Sequence, residues 1–402
     1  MDDWLPLTRF IRAGREVVFD PCRKLLVPAT PEELVRQCFV QYLQQALGYP
    51  IANLLTEEHL SRWGKARSRR RADIIAVLHE HTDEGHWMPT PLLVVECKAP
   101  KVSLLDDHLD QLLAYDDIVE TETGLVVLTN GLVTHWYDRF TEELTILEQP
   151  VRFRDALDTA ARTPIPPSPP QPRPPFGMPT DATRELFLTA GVVGRGSSPS
   201  RYEELFNLAG LFHLEPEPPP YEGAFRGHAF LECGDRVTGF GNAAGGRWDG
   251  FYRYFHIRSP DGESQVVSIS VLGKMLTRDD PRFGNTSGHT MLVVAVDDFD
   301  RRHNSLQLDL DRFSLREGDR VRIWHDGRLT RGKRGAAKRA DVVEFVAQHA
   351  PHLVSDGTVQ LGSFPADRLA TWADVQPLVE NLIEYALVRD RFRNEPLGQH
   401  RQ

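Results

Sequence analysis

Apolar residues recur along this chain with two spacings, and the change from one to the other marks out its elements. Thr30-Pro31-Glu32-Glu33 opens the first clear helix: threonine can cap, proline suits the first turn, and a glutamate three residues after the cap can complete a capping box. Leu34, Cys38, Tyr42 and Ala46, with Val35, Phe39, Leu43 and Leu47, follow at helical spacing, and Gly48 ends the run. The apolar segments that come next are short and continuous, as buried strands are: Ala72 to Leu78, Leu92 to Cys97, Gly124 to Gly131 with its turn, and Leu132 to Tyr137. Pro100 stops the second of these, and Ser103 can cap a helix carrying Leu105, Leu109, Leu112 and Leu113. His79, His81 and His86 lie in a polar stretch with Glu80, Asp83 and Glu84, which reads as a hairpin loop rather than a metal site.

Beyond residue 160 the pattern changes. Pro164 to Pro175 is a polyproline stretch, stiff and extended, which reads as a spacer and sets boundaries at 1–160, 161–180 and 181–402. Short helices are predicted at Asp181 to Leu188 and Ser200 to Leu211, before a second proline cluster at Pro216 to Pro220. Strand-like runs follow at His228 to Cys233, Phe251 to Ile257, Gln265 to Val271, Thr290 to Val296, Ser305 to Leu310 and Asp319 to Trp324. Gly and Asn punctuate them, as in an antiparallel sheet or barrel, so this half is expected to be a β-rich α+β domain. Trp372 to Arg389 reads as an amphipathic helix with Val375, Leu378, Val379, Leu382, Ile383 and Leu387 on one face, able to close the domain or to pair with a second copy.

The 402 residues, 41% of them hydrophobic, are ample for two cores. No apolar run approaches membrane length and no signal peptide is visible, so a cytoplasmic protein is expected. Cys22, Cys38, Cys97 and Cys233 have no Cys-x-x-Cys spacing and read as reduced thiols. A net charge of −10 argues against a general nucleic-acid coat but leaves room for a local basic groove.

Candidate chemistry centres on Val95-Glu96-Cys97-Lys98. Strand side chains repeat with period two, so Glu96 and Lys98 share one side with Cys97 behind. Taken alone, such a pair reads as a solvated edge or a cross-strand ion pair. Its surroundings add a second acid, Asp73, at the mouth of an apolar segment, preceded by the dense cationic run Arg62 to Arg71, itself readable as a solvated loop. Carboxylates holding a divalent cation beside a lysine suit phosphodiester hydrolysis. Gln111 and Tyr115 lie one helical turn apart and face the same way. Locally, Glu33 reads best as a capping residue.

These pieces together resemble a known family. Thr30-Pro-Glu-Glu-Leu-Val-Arg-Gln, Arg71-Ala-Asp-Ile, Val95-Glu-Cys-Lys-Ala-Pro, the Gln111 and Tyr115 pair and Leu128-Thr-Asn-Gly, in that order, resemble the N-terminal nuclease domain of type I restriction enzyme motor subunits, a branch of the PD-(D/E)xK nucleases, over residues of about 22 to 140. The resemblance implies an α/β nuclease core, a restriction-endonuclease-like mixed sheet flanked by helices. It implies that Asp73 and Glu96 hold Mg²⁺, with Mn²⁺ able to substitute, that Lys98 is the active-site lysine, and that Glu33 supports the metal site. Gln111 and Tyr115 match that branch's pair associated with DNA contact. Ala72 stands where the superfamily name expects proline, although Arg-Ala-Asp is common within this branch. The chain lacks the Gly-x-x-x-x-Gly-Lys-[Ser/Thr] loop of the helicase, Gly191-Val-Val-Gly-Arg-Gly-Ser-Ser having no lysine, so no ATP-driven motor is expected here.

A metal-dependent DNA endonuclease of restriction or antiphage defence is therefore expected, with Arg70 and Arg71 near the DNA. The second domain is left open among DNA recognition, ligand sensing and dimerisation. Arg328 to Arg339, with Arg331, Lys333 and Arg334, concentrates cations before a helix start, which favours phosphate on a duplex or a small nucleotide messenger, unless it is a solvated loop. A non-catalytic nucleic-acid-binding module is the remaining alternative. The intact Asp73, Glu96 and Lys98 set speaks against it.

Overall fold

The computed structural model describes residues 6–64, 69–81, 87–140, 144–162, 172–177, 179–241, 246–275, 287–297, 303–331 and 335–394. The chain divides into two compact units, Met1–Ser168 and Pro169–Gln402.

Unit 1 starts with an antiparallel meander of β1 (Arg9–Arg12), β2 (Arg15–Asp20) and β3 (Leu25–Pro28), which the apolar pattern did not reveal. Helix α1 (Pro31–Gln45) follows, capped by Thr30, whose Oγ1 accepts from the Glu33 amide at 3.2 Å. Then come β4 (Leu54–His59), β5 (Arg71–His81), β6 (Trp87–Cys97), α2 (Asp106–Val119), β7 (Leu125–Thr129), β8 (Thr134–Asp138), β9 (Thr145–Leu147) and α3 (Phe153–Thr159). Among the described residues the sheet order is β4-β5-β6-β7-β8-β9, antiparallel throughout except for β6 and β7, which run parallel. A parallel pair needs a crossover, and α2 supplies it.

The pleat of β6 divides the core. Leu93, Val95 and Cys97 pack with Val35, Phe39, Val40 and Leu43 of α1, while Val94 packs with Leu112, Tyr115 and Val119 of α2. A mixed sheet with helices on both faces agrees with the α/β expectation. Some details differ from the sequence reading. The buried stripe of α1 runs through Val35, Phe39, Val40, Leu43 and Leu47, with Leu34, Cys38 and Tyr42 only partly covered and Ala46 exposed. Ser103 does not cap α2: the helix begins at Asp106, and the His108 ring accepts the Leu105 amide at 3.2 Å. His79 and His81 lie on β5, with His79 Nε2 3.0 Å from the Ala52 carbonyl oxygen; His86 is outside the described residues.

Unit 2 is β-rich with added helices. After α4 (Asp181–Thr189) and α5 (Tyr202–His213) come β10 (Ala224–Phe225), β11 (His228–Gly241), β12 (Arg247–Arg258), β13 (Ser264–Gly273), β14 (Thr290–Val296) and β15 (His303–Asp309). These form one sheet in chain order, and Gly241 of β11 also pairs with His303 of β15, so that the sheet curls back on itself. The short helix α6 (Leu310–Phe313) leads to β16 (Ser314–Glu317) and β17 (Arg320–His325). After α7 (Arg339–His349) come β18 (Val354–Ser355), β19 (Thr358–Pro365) and α8 (Trp372–Asn394). Strands β16-β17-β19-β18 make a second sheet. Within the stretch read as spacer, Arg173 is held by the carbonyl oxygens of Ala370 at 2.7 Å and Asn207 at 3.1 Å; residues 163–171 lie outside the described set. Helix α8 is buried more widely than a one-sided amphipathic helix, with Tyr385, Ala386, Val388, Arg389 and Phe392 covered besides the predicted face, and Leu387 only partly so. It closes unit 2 from within this chain.

Candidate active site

The site forms where β5 and β6 part. Their last registered pair is Ile74 with Val95, whereas on its other side β6 stays paired to β7 through Cys97 with Thr129, and the Lys98 amide donates to the Thr129 carbonyl at 2.8 Å. The Cys97 amide, left without a strand partner on the β5 side, donates instead to Asp73 Oδ2 at 2.6 Å. Opposite Asp73, Glu57 adopts φ 53°, in the left-handed region, and drops out of the β4–β5 register. Both faults bring side chains to the same place, where Glu57 and Asp73 meet Arg36.

Period two places Glu96 and Lys98 on the α2 side, and Lys98 Nζ donates to Glu96 Oε1 at 2.6 Å. Gln111 Nε2 donates to the same oxygen at 2.7 Å and to the Tyr115 hydroxyl at 2.7 Å, so both hydrogens of one amide are engaged. Glu96 is only 4% exposed. Burial first, and then the nearby charge of Asp73, hold its carboxyl up at about 7, with Lys98 pulling the other way. Burial also raises Asp73, against the pull of Arg36. Lys98 is held above the usual lysine range by Glu96 and Asp73, although burial opposes this.

Arg36, on the inner face of α1, is the residue that sequence reasoning passed over. It is 3% exposed; its Nη2 lies 2.5 Å from Asp73 Oδ1 and 2.8 Å from Glu57 Oε1, and its Nη1 pairs with Glu33. Burial works against its charge, but the surrounding acids keep it fully protonated. The available signal was its place in the helical pattern, one step from Val35 and three before Phe39. Glu33 does not close the capping box: its carboxylate accepts from Arg36 and from Gln37 Nε2 at 2.8 Å, while the Thr30 amide donates to the Pro28 carbonyl at 2.8 Å. A guanidinium within reach offers a charged partner, and the cap amide already has one. Glu33 thus meets Asp73 through Arg36.

The structure therefore brings Glu33, Asp73, Glu96, Lys98, Gln111 and Tyr115 into one network. Arg70 and Arg71 lie at its rim. Arg71 donates to Glu57 and to His59, both at 3.2 Å, and the charge of Arg70 reaches Tyr115. Arg331 is elsewhere, in unit 2, with its guanidinium 4.1 Å from the Phe392 ring centroid; Lys333 and Arg334 are outside the described residues.

The donor set suits a hard cation. Asp73 and Glu96 offer carboxylate oxygens of the kind a hard cation takes, each now held by a cation of the chain, Arg36 and Lys98. No helix among the described residues is long and apolar enough to cross a membrane. No curated protein and no solved structure gives a significant match to the chain. Residues 31–148, which hold every member of this network, match the family model of the type I restriction enzyme R protein N terminus, and the resemblance read from the short motifs is borne out over that segment.

Proposed function

We propose that unit 1 is a metal-dependent endonuclease with a restriction-endonuclease-like core, cleaving DNA phosphodiester bonds in restriction or antiphage defence. The observation that carries this reading is the convergence of Asp73, Glu96 and Lys98 at the parted ends of β5 and β6, inside the segment that matches the restriction family model. Asp73 and Glu96 would hold Mg²⁺, or Mn²⁺ in its place. The cation would supply positive charge to the scissile phosphate and acidify a bound water. The chain's own residues do the rest. Lys98, anchored on Glu96, donates a hydrogen bond to the attacking water and orients it. Gln111, tied down by Tyr115, holds the Glu96 carboxylate in place and presents this edge of α2 to the phosphate backbone. Arg70 and Arg71 attract that backbone without reading its sequence.

The test is incubation of the purified chain with supercoiled plasmid and Mg²⁺, with and without EDTA. Cleavage is expected only with free metal, and Asp73→Ala, Glu96→Ala and Lys98→Ala should each lower it by about 10²-fold or more, as losing one element of transition-state charge stabilisation does. Wild-type cleavage by a correctly folded Glu96→Ala protein would sink the assignment.

A further inference from the structure

Unit 2 contains a concave pocket of about 320 Å³ whose wall is strongly cationic. Arg312, Arg328, Arg389 and Arg393 line it, and the single carboxylate among the lining residues is Asp309. Asp309 is already engaged, its two oxygens 3.0 and 2.9 Å from His289 Nδ1. Arg328 and Arg393 have acid partners behind the wall, Asp326 at 3.1 Å and Asp390 at 2.6 Å. Arg389 and Arg312 have no carboxylate within ion-pair distance among the described residues.

Arg389 is the decisive group. It is 4% exposed, on the inner face of α8. Its Nε donates to the Ser305 carbonyl at 3.0 Å, and its Nη1 to the Arg328 carbonyl at 2.9 Å and the Tyr385 hydroxyl at 3.2 Å. Two carbonyls and a hydroxyl fix the plane of the guanidinium but leave its unit charge uncompensated, and Nη2 makes no hydrogen bond to any described residue. Arg393 stands close beside it, donating to the same Ser305 carbonyl at 2.6 Å, and is pushed down to about 10 by burial and then by the charge of Arg389. Buried like charges of this kind are costly unless an anion joins them. A second polar atom in the wall is also unmatched: Asn304 Oδ1 is buried with no partner among the described residues, its Nδ2 being committed to the Phe240 carbonyl at 3.1 Å.

We propose that this pocket binds a small ligand through a terminal phosphate, which Arg389 and Arg312 grip, while Asn304 accepts a hydrogen bond from the ligand's organic part. A phosphomonoester carries close to two charges, matching the two guanidiniums that lack a direct carboxylate partner, and its oxygens fit their forked donors. The volume is at the small end of the range of about 300–1,000 Å³ for ligand pockets, which suits a mononucleotide-sized group. A duplex backbone does not fit, because its phosphates lie on the outside of a wide cylinder and a side chain 4% exposed is beyond their reach. The same terminal phosphate could come from a free mononucleotide or from the 5′ end of a strand.

Calorimetric titration and thermal-shift assays on the full chain test this, with AMP, adenosine, and a short oligonucleotide with 5′-phosphate or 5′-hydroxyl as probes. AMP or the phosphorylated strand should bind and raise the melting temperature, whereas adenosine and the hydroxyl strand should not. Tighter binding of AMP assigns the pocket to free nucleotides, and tighter binding of the phosphorylated strand assigns it to strand ends. Arg389→Gln should abolish binding, and Arg312→Glu, at an exposed position where folding is not at stake, should weaken it at least tenfold. No binding of either phosphorylated probe by the wild type, equal binding of adenosine and AMP, or unchanged affinity in Arg312→Glu overturns the proposal. So does a duplex without terminal phosphates that binds as tightly as AMP and loses that binding in Arg312→Glu.

Discussion

Glu96 carries two opposing demands. Its folded-state pKa of about 7 lies above the ordinary 4.5, so between those values the folded protein holds a proton that the unfolded chain has released. Stability of the metal-free protein should therefore rise as pH falls through that window, and above pH 7 the ionised carboxylate is a net cost to the fold. Glu96→Gln removes that charge while leaving an acceptor oxygen for Lys98 and Gln111. At pH 8 in EDTA the variant is expected to melt above the wild type, by about 2–4 °C for each 1 kcal/mol recovered, while losing plasmid cleavage. A lower melting temperature than the wild type in EDTA would mean that the carboxylate stabilises the fold after all. At this scale the motif residues were legible because a strand's alternation fixes which side chains share a side. The Glu33 carboxylate was not, since whether it turns back to the cap or inward to Arg36 depends on a neighbour that the local sequence does not position.

At the scale of elements, one guanidinium ties helix α1 to two strands. Arg36 joins Glu33 on its own helix to Glu57 on β4 and Asp73 on β5, all within a cluster closed to most solvent. Removing one member of such a buried ion cluster leaves the others uncompensated, at about 3–5 kcal/mol. Arg36→Gln should lower the urea midpoint accordingly, and Arg36→Gln combined with Glu33→Gln should recover part of the loss because one orphaned acid goes with it. Additive losses in the double variant would argue against a shared cluster. The elements found from pattern were those with long apolar runs, such as β5, β6, β7, β13 and β14. Strands β1, β4, β9, β16 and β19 escaped because they are short or mix polar and apolar positions; Thr358-Val-Gln-Leu-Gly-Ser-Phe-Pro alternates only in its first half. Their strand character comes from pairing partners, as when β19 takes its place between β17 and β18.

At the scale of the whole molecule, each unit has its own core. Unit 2's largest apolar cluster runs from Phe187 on α4 through β13 and β14 to Phe392 on α8, with every member in that unit. Residues 169–402 expressed alone should thus unfold in one cooperative transition by circular dichroism, and a broad, gradual melt would count against an independent unit. The restriction family model covers residues 31–148 and none of unit 2, whose β-rich character was legible in its apolar runs while the order and closure of its sheets came only with the structure.

The sequence by itself determined what depends on neighbours along the chain: the capped helix α1, the buried strands, the same-side Glu96 and Lys98, and the one-turn spacing of Gln111 and Tyr115. Tertiary structure alone decided what depends on distant segments meeting. The parting of β5 from β6 turns Asp73 toward the Cys97 amide. Arg36 finds acids from three elements, and Arg312 and Arg389, 77 positions apart in the chain, come to face one pocket. The physical reason is that periodicity fixes direction within an element, whereas charge compensation and burial are properties of the packed whole.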